Sequence, residues 1–200
     1  MEAKSNTVQV FEAEHDEEGV YVYQAFCNDI ANWAITYQKF GGPLFNTKRM
    51  TWIKPSFAWV LYRSGYAQKH NQQRILKIKL SHDTMAQLLS HCECKHSGGG
   101  SLGRVQWDPA RNILNAENGE PRKILTKRAI QIGLKGHLSE FYVESILSIE
   151  EVTHLAHQVG IMHNVLVSNN GIIQKNKSNK RKASVEGQLI LTSLPNETAY

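Results

Sequence analysis

The chain has 200 residues, 41% of them apolar and 20% charged, and a formal charge of +5 at neutral pH. That length suits one globular domain with tails, and that composition excludes wholesale disorder. No apolar run approaches the ~20 residues that span a bilayer, so no membrane association is expected.

The polar opening, MEAKSNTVQVFEAEHDEE, lacks the apolar core of a secretory signal. Three cysteines, Cys27, Cys92 and Cys94, make no even framework, which fits a reducing cytoplasmic or nuclear setting. Charge is unevenly spread. Residues 1–19 carry six acids and one lysine, residues 168–200 carry two acids and five bases, and the middle of the chain holds a surplus of seven bases. That surplus favours an anionic partner.

Taken in order, residues 1–19 read as an acidic flexible leader. VYVYQAF then predicts a strand rich in Val and aromatics. NDIANWAITYQKF predicts a helix capped by Asn28, with Ile30, Trp33, Ala34 and Tyr37 on one side and Gly41-Gly42-Pro43 as its end. A second helix is expected over SFAWVLYR, with Pro55 in the first turn and Gly65 just past the end.

LKIKL alternates cleanly and predicts a strand, and SHDTMAQLLSH a short helix before the glycine-rich HSGGGSLG. RVQW is expected to be a short strand closed by a turn at Asp108-Pro109, followed by an irregular excursion over 110–125. RAIQIGL is a further strand, with Ile130, Ile132 and Leu134 on one face. Helical sequence follows Gly136. Ser148 and Glu151 have capping-box spacing ahead of a last helix striped by Val152, Leu155, Ala156, Val159 and Met162. The fold class expected is α+β: one compact domain over 20–166, with a mixed or antiparallel sheet flanked by helices and a C-terminal helix. Residues 167–200 are expected to be a basic disordered tail.

Three predicted strands each carry a glutamine, Gln24, Gln106 and Gln131, and two of them begin with an arginine, Arg104 and Arg128. Such residues on a solvated sheet face need no ligand. Lining a cleft, the amides could read a base or amide while the arginines pair with phosphate oxygens. Gln131 is opposite in phase to Ile130 and Ile132 and shares its face with Ala129 and Gly133, which leaves room for close approach. The aromatics of the second helix read mainly as core, but its end offers Tyr62, Arg63 and Ser64. Arg63 there is also explained by the helix dipole alone. The candidate ligand-binding residues are therefore Gln24, Tyr62, Arg63, Ser64, Arg104, Gln106, Arg128 and Gln131.

HCECKH offers soft ligands, but four crowded into six residues suit no standard zinc knuckle, and no metal is expected. His154 and His157 on the last helix lack a companion carboxylate. Walker, GxSxG and GxGxxG signatures are absent. Asp108 is the sole carboxylate in the aromatic and glutamine-bearing segments, which argues against paired-carboxylate catalysis. In the tail, KNKSNKRK reads as a nuclear-import or nucleic-acid contact sequence, and RKAS marks Ser184 as a kinase acceptor.

VYQAFCNDIANWA, MTWIKPSFAWVLYRSGYA, NQQRILKIKL, RVQWDPAR and RAIQIGL together, in this order, resemble the family named domain of unknown function 4291, over about residues 20–160. That resemblance implies no activity. The chain is also similar, much more distantly, to ADP-ribosyltransferase-like folds. In those, NAD is held by an early polar strand residue, a middle serine or aromatic and a late carboxylate. Gln24, Tyr62 to Ser64, and Gln131 fall in that order, but Gln131 is an amide. NAD is the cofactor this likeness implies, and binding rather than catalysis is the part it carries. The expected function is binding of a nucleotide or phosphate-bearing ligand in a basic, Gln/Arg-lined cleft, with ADP-ribosyltransferase-like transfer as its enzymatic form. The alternative is a non-enzymatic nucleic-acid-binding module that uses the basic surface and tail.

Overall fold

A computed structural model describes residues 10–94, 101–113, 124–172, 195 and 197–200. Its elements in chain order are β1 (Glu12–Ala13), β2 (Gly19–Phe26), α1 (Asn28–Tyr37), β3 (Thr51–Ile53), α2 (Phe57–Ser64), β4 (Arg74–Ser81), α3 (His82–Ser90), β5 (Cys92–Cys94), β6 (Gly103–Arg111), β7 (Ile124–Leu134), α4 (His137–Glu144), β8 (Ile146–Glu151), α5 (Thr153–Ile172) and β9 (Thr198–Ala199). The basic run at 175–182, Ser184, most of the glycine-rich stretch and residues 114–123 lie outside the described residues.

The α+β expectation holds, with the strands divided between two main sheets. One is antiparallel in the order β2-β4-β8, and the other is β3-β7-β6-β5, mixed because β5 runs parallel to β6. A backbone bridge between Tyr23 and Lys54 joins the two sheets at a seam. Period-two alternation decides which side chains meet. Val20, Val22, Leu76, Ile78 and Leu80 of the first sheet and Ile53, Ile130, Ile132 and Leu134 of the second enclose the main core with Ala31, Met85, Leu88 and Tyr142 from the helices. A second cluster joins Tyr23 and Ile75 to Phe57, Val60 and Leu61 of α2 and to Val152, Leu155, Ala156 and Val159 of α5.

Several local expectations are corrected. Asp108 and Pro109 do not close a turn; β6 runs through them to Arg111. The ladder shifts register between Pro109 and Arg111, the kind of irregularity at which a residue without an N–H is tolerated in a sheet. Ser148 and Glu151 cap no helix but lie in β8, where pairing with β4 outcompetes the capping geometry. α5 starts at Thr153, whose Oγ1 accepts the Ile75 N–H at 2.9 Å, and it extends to Ile172, beyond the expected end. In α2 the capping residue is Ser56, whose hydroxyl accepts from the Trp59 N–H, so Pro55 precedes the cap rather than filling the first turn. Gly65 ends that helix at φ 61°, as expected of a glycine there.

α1 has Cys27 in its cap position and stops at Tyr37, well short of the glycines. Gln38 turns left-handed at φ 51°, held by its side chain, which donates to the Ile35 and Ile149 carbonyls and accepts from the Ile149 N–H. Trp33 and Tyr37 are not on the buried side. They are 36% and 60% exposed, and their rings pack on each other at 4.4 Å while Ala31 and Ala34 face the core.

Part of the acidic leader is built into the fold. Glu14 pairs with Lys77 at 2.8 Å, and Asp16 and Glu18 pair with Lys79, so the lysines on the outer face of β4 are neutralised. β1 pairs with β9, bringing residues 10–13 beside residues 198–200.

Candidate functional site

The outer face of the four-stranded sheet carries the polar residues of interest. On β6, alternation puts Arg104, Gln106, Asp108 and Ala110 on that face. On β7 the register matches Gln131 to Gln106, Ala129 to Asp108 and Gly133 to Arg104, and on β3 Trp52 faces Gly133. Opposed residues of an antiparallel pair share a face, so these side chains form one field. A Cβ at Gly133 would come within 2.8 Å of the Met50 sulfur and 2.9 Å of the Trp52 ring. The room expected beside Gln131 is therefore taken by Trp52 and Met50. At the other end, Trp59 of α2 packs on Ala110 and Ala129.

Between these two plugs lies a hydrogen-bonded triad. Asp108 accepts from the Gln106 amide at 3.0 Å and from the Gln131 amide at 2.7 Å, one on each carboxylate oxygen. The carboxylate thus orients both amides, and each Oε1 has no hydrogen-bond partner among the described residues. Lys54 stands beside the triad. It donates to the Trp52 carbonyl at 3.0 Å and lies over the Trp59 ring at 5.3 Å. Burial, reinforced by the nearby Arg63 charge and opposed by Asp108, pushes its pKa down to about 8. On the same face of α2, Tyr62 stacks against the Arg111 guanidinium at 3.5 Å.

Beyond Arg104 the field opens into a depression of about 560 Å³ lined by Asn46, Lys48, Arg49, Met50, Ser101, Arg104 and Lys135. Its four cations have no carboxylate partner among the described residues, whereas the lysines of β4 are all paired with acids. Part of the positive surplus read in the sequence therefore lies at this end of the sheet.

The sheet brings Arg104, Gln106 and Gln131 together on one face, with Tyr62 and the exposed Arg63 on the flank. Gln24, Ser64 and Arg128 stand apart. Gln24 is 2% exposed and ties the seam between the sheets: its amide donates to Thr51 Oγ1 at 2.7 Å and the Trp52 carbonyl at 3.2 Å, and its Oε1 accepts from Tyr142 at 2.8 Å. Ser64 is wholly buried, with its hydroxyl donating to the Leu61 carbonyl and accepting from the Ala67 N–H. Arg128 lies on the opposite face of the sheet from Gln131 and donates to the Trp107 carbonyl at 2.6 Å. Asp108, Lys54, Lys48, Arg49 and Lys135 were not among the expected site residues. Asp108 belongs with Arg104 and Gln106 once β6 is extended through it. Burial pushes the Cys92 thiol up to about 11, so this cysteine is not an activated nucleophile.

The molecule is thus an α+β domain of two sheets whose outer β6–β7 face holds a carboxylate-organised amide pair beside an uncompensated cationic depression. A family model described as domain of unknown function (DUF4291) matches residues 10–182, and the chain belongs to that family. No curated protein matches the sequence significantly. No described helix is long and apolar enough to cross a membrane.

Proposed function

We propose that the β6–β7 face binds a nucleotide or another phosphate-bearing ligand. The observation that carries this reading is the cluster of Lys48, Arg49, Arg104 and Lys135, four cations without acidic partners around one depression. Clustered cations of one sign repel one another and are stabilised by an anion. The phosphate lies at the Arg104 end in this reading. Gln106 and Gln131, held by Asp108, offer carbonyl and amide groups to the base or sugar about 7 Å further along the strand. Arg63 reaches the ligand from the α2 side. The enzymatic form of the proposal is ADP-ribosyltransferase-like transfer from NAD. Asp108 supports it by supplying a carboxylate next to Gln131, where Gln131 alone offers only an amide.

Calorimetric titration with ADP, NAD and inorganic phosphate tests the proposal. Saturable binding that weakens roughly tenfold or more in Arg104→Ala is the expected result, since a charge-assisted contact contributes about 1.5–3 kcal/mol. Absence of binding by all three ligands overturns it. The same cations also suit a non-enzymatic nucleic-acid-binding module. Affinity for DNA or RNA that falls steeply with salt and survives Arg63→Ala, with no nucleotide binding, favours that second reading.

A further inference from the structure

We infer that residues 197–200 form a pH-gated strap over the N-terminus of α2, with a hold that loosens as the pH rises toward and through neutrality. This goes beyond the proposed ligand site and does not depend on it.

The strap has three points of attachment. At one end the Glu197 carboxyl accepts the Phe57 N–H and also bonds Ser56 and the Ala58 N–H, which places it on the otherwise unsatisfied amides that open α2. In the middle, Thr198 and Ala199 pair with Ala13 and Glu12, and Thr198 Oγ1 lies 2.8 Å from His15 Nε2. At the other end Tyr200 exchanges backbone hydrogen bonds with Phe11, lays its ring on His82 at 15° and 5.6 Å, and meets His82 Nδ1 through its hydroxyl at 3.0 Å. A two-residue ladder holds little by itself, so the anchors at its ends decide whether the strap stays.

Glu197 is the anchor that titrates against its surroundings. The carboxyl is buried and has no cation partner among the described residues. The nearest charge of consequence is another acid, Glu12 of β1, itself paired with Lys127 of β7. From β2 the Tyr23 phenol faces it, already bonded to Glu14. Burial outweighs the helix amides, and the pKa of Glu197 is pushed up to about 7. An acid whose pKa rises on docking takes up a proton as it docks, so docking is favoured at low pH. It weakens as the pH climbs from the ordinary carboxyl range to about 7, and levels off above that. Between pH 6 and pH 8 this amounts to roughly a tenfold loss in the docking constant. His82 ties the far end of the strap to the leader: its Nε2 contacts the Asp16 carbonyl while its Nδ1 meets the Tyr200 hydroxyl.

Hydrogen exchange on the full chain, corrected for intrinsic rates, tests the inference at the Phe57 and Ala58 amides and at residues 11–13. Protection there should fall about tenfold from pH 6 to pH 8, while the β4 amides stay constant. Glu197→Gln keeps an acceptor without the charge and should flatten that dependence. Tyr200→Ala should lower protection at both pH values and keep the slope. A pH-independent wild type, an unchanged slope in Glu197→Gln, or a lost slope in Tyr200→Ala overturns the strap as described.

Discussion

Lys54 is the residue whose chemistry departs furthest from its solvated form. With its pKa pushed down to about 8, it sheds its proton above that pH in the ligand-free protein, and an anion bound nearby restores the charge. Binding of a phosphate ligand should therefore take up a proton near pH 8 to 9, and affinity should fall as the pH rises through about 8. Calorimetry in two buffers of different ionisation enthalpy measures that proton directly, and Lys54→Met should abolish the uptake. Binding without proton uptake in the wild type would place the ligand away from Lys54. Residue placement was readable from strand parity to a surprising depth. Gln24 follows Val20 and Val22 at even spacing, which already puts it on the core face, and Arg128 shares parity with Ile130 and Ile132. The chemistry of these side chains suggested a ligand, and their phase did not.

Among the elements, the β6–β7 pair shows both the reach of a sequence reading and its limit. LKIKL was legible because buried and part-exposed residues alternate along it, and RAIQIGL because Ile130, Ile132 and Leu134 recur at every second position. ILSIEE was hidden because its strand character depends on pairing with β4, a contact more than sixty residues away, while its local spacing mimics a helix start. Asp108 was missed because Asp-Pro signals a turn locally, and only the partner strand keeps it extended. The same pair makes a packing test. Gly133→Ala inserts a methyl 2.8–2.9 Å from Met50 and Trp52, both of which must shift. Overpacking of this kind costs about 1–3 kcal/mol, measurable by denaturant unfolding. Displacement of Trp52 should also lower affinity for the phosphate ligand. Unchanged stability would mean that the β3 edge yields more easily than its contacts imply.

Across the whole molecule, charge is sorted rather than averaged. The leader acids Glu14, Asp16 and Glu18 cover the lysines of β4, while no described acid answers the cations around Arg104. Composition alone revealed the acidic leader and the basic middle, but not which bases the leader would leave exposed, because that depends on β4 lying beside residues 14–18. This sorting gives the molecule a directed field, and the effect is kinetic. On the proposed reading, an anion far from the protein should be drawn toward one end of one sheet and meet that face more often than chance encounter allows. The association rate should therefore drop severalfold between about 20 mM and 200 mM salt, with dissociation nearly constant. Stopped-flow mixing separates the two rates. Reversing Glu14 and Glu18 to lysine should weaken the bias by spreading positive potential over β4, so that encounters occur on a face with nothing to hold them.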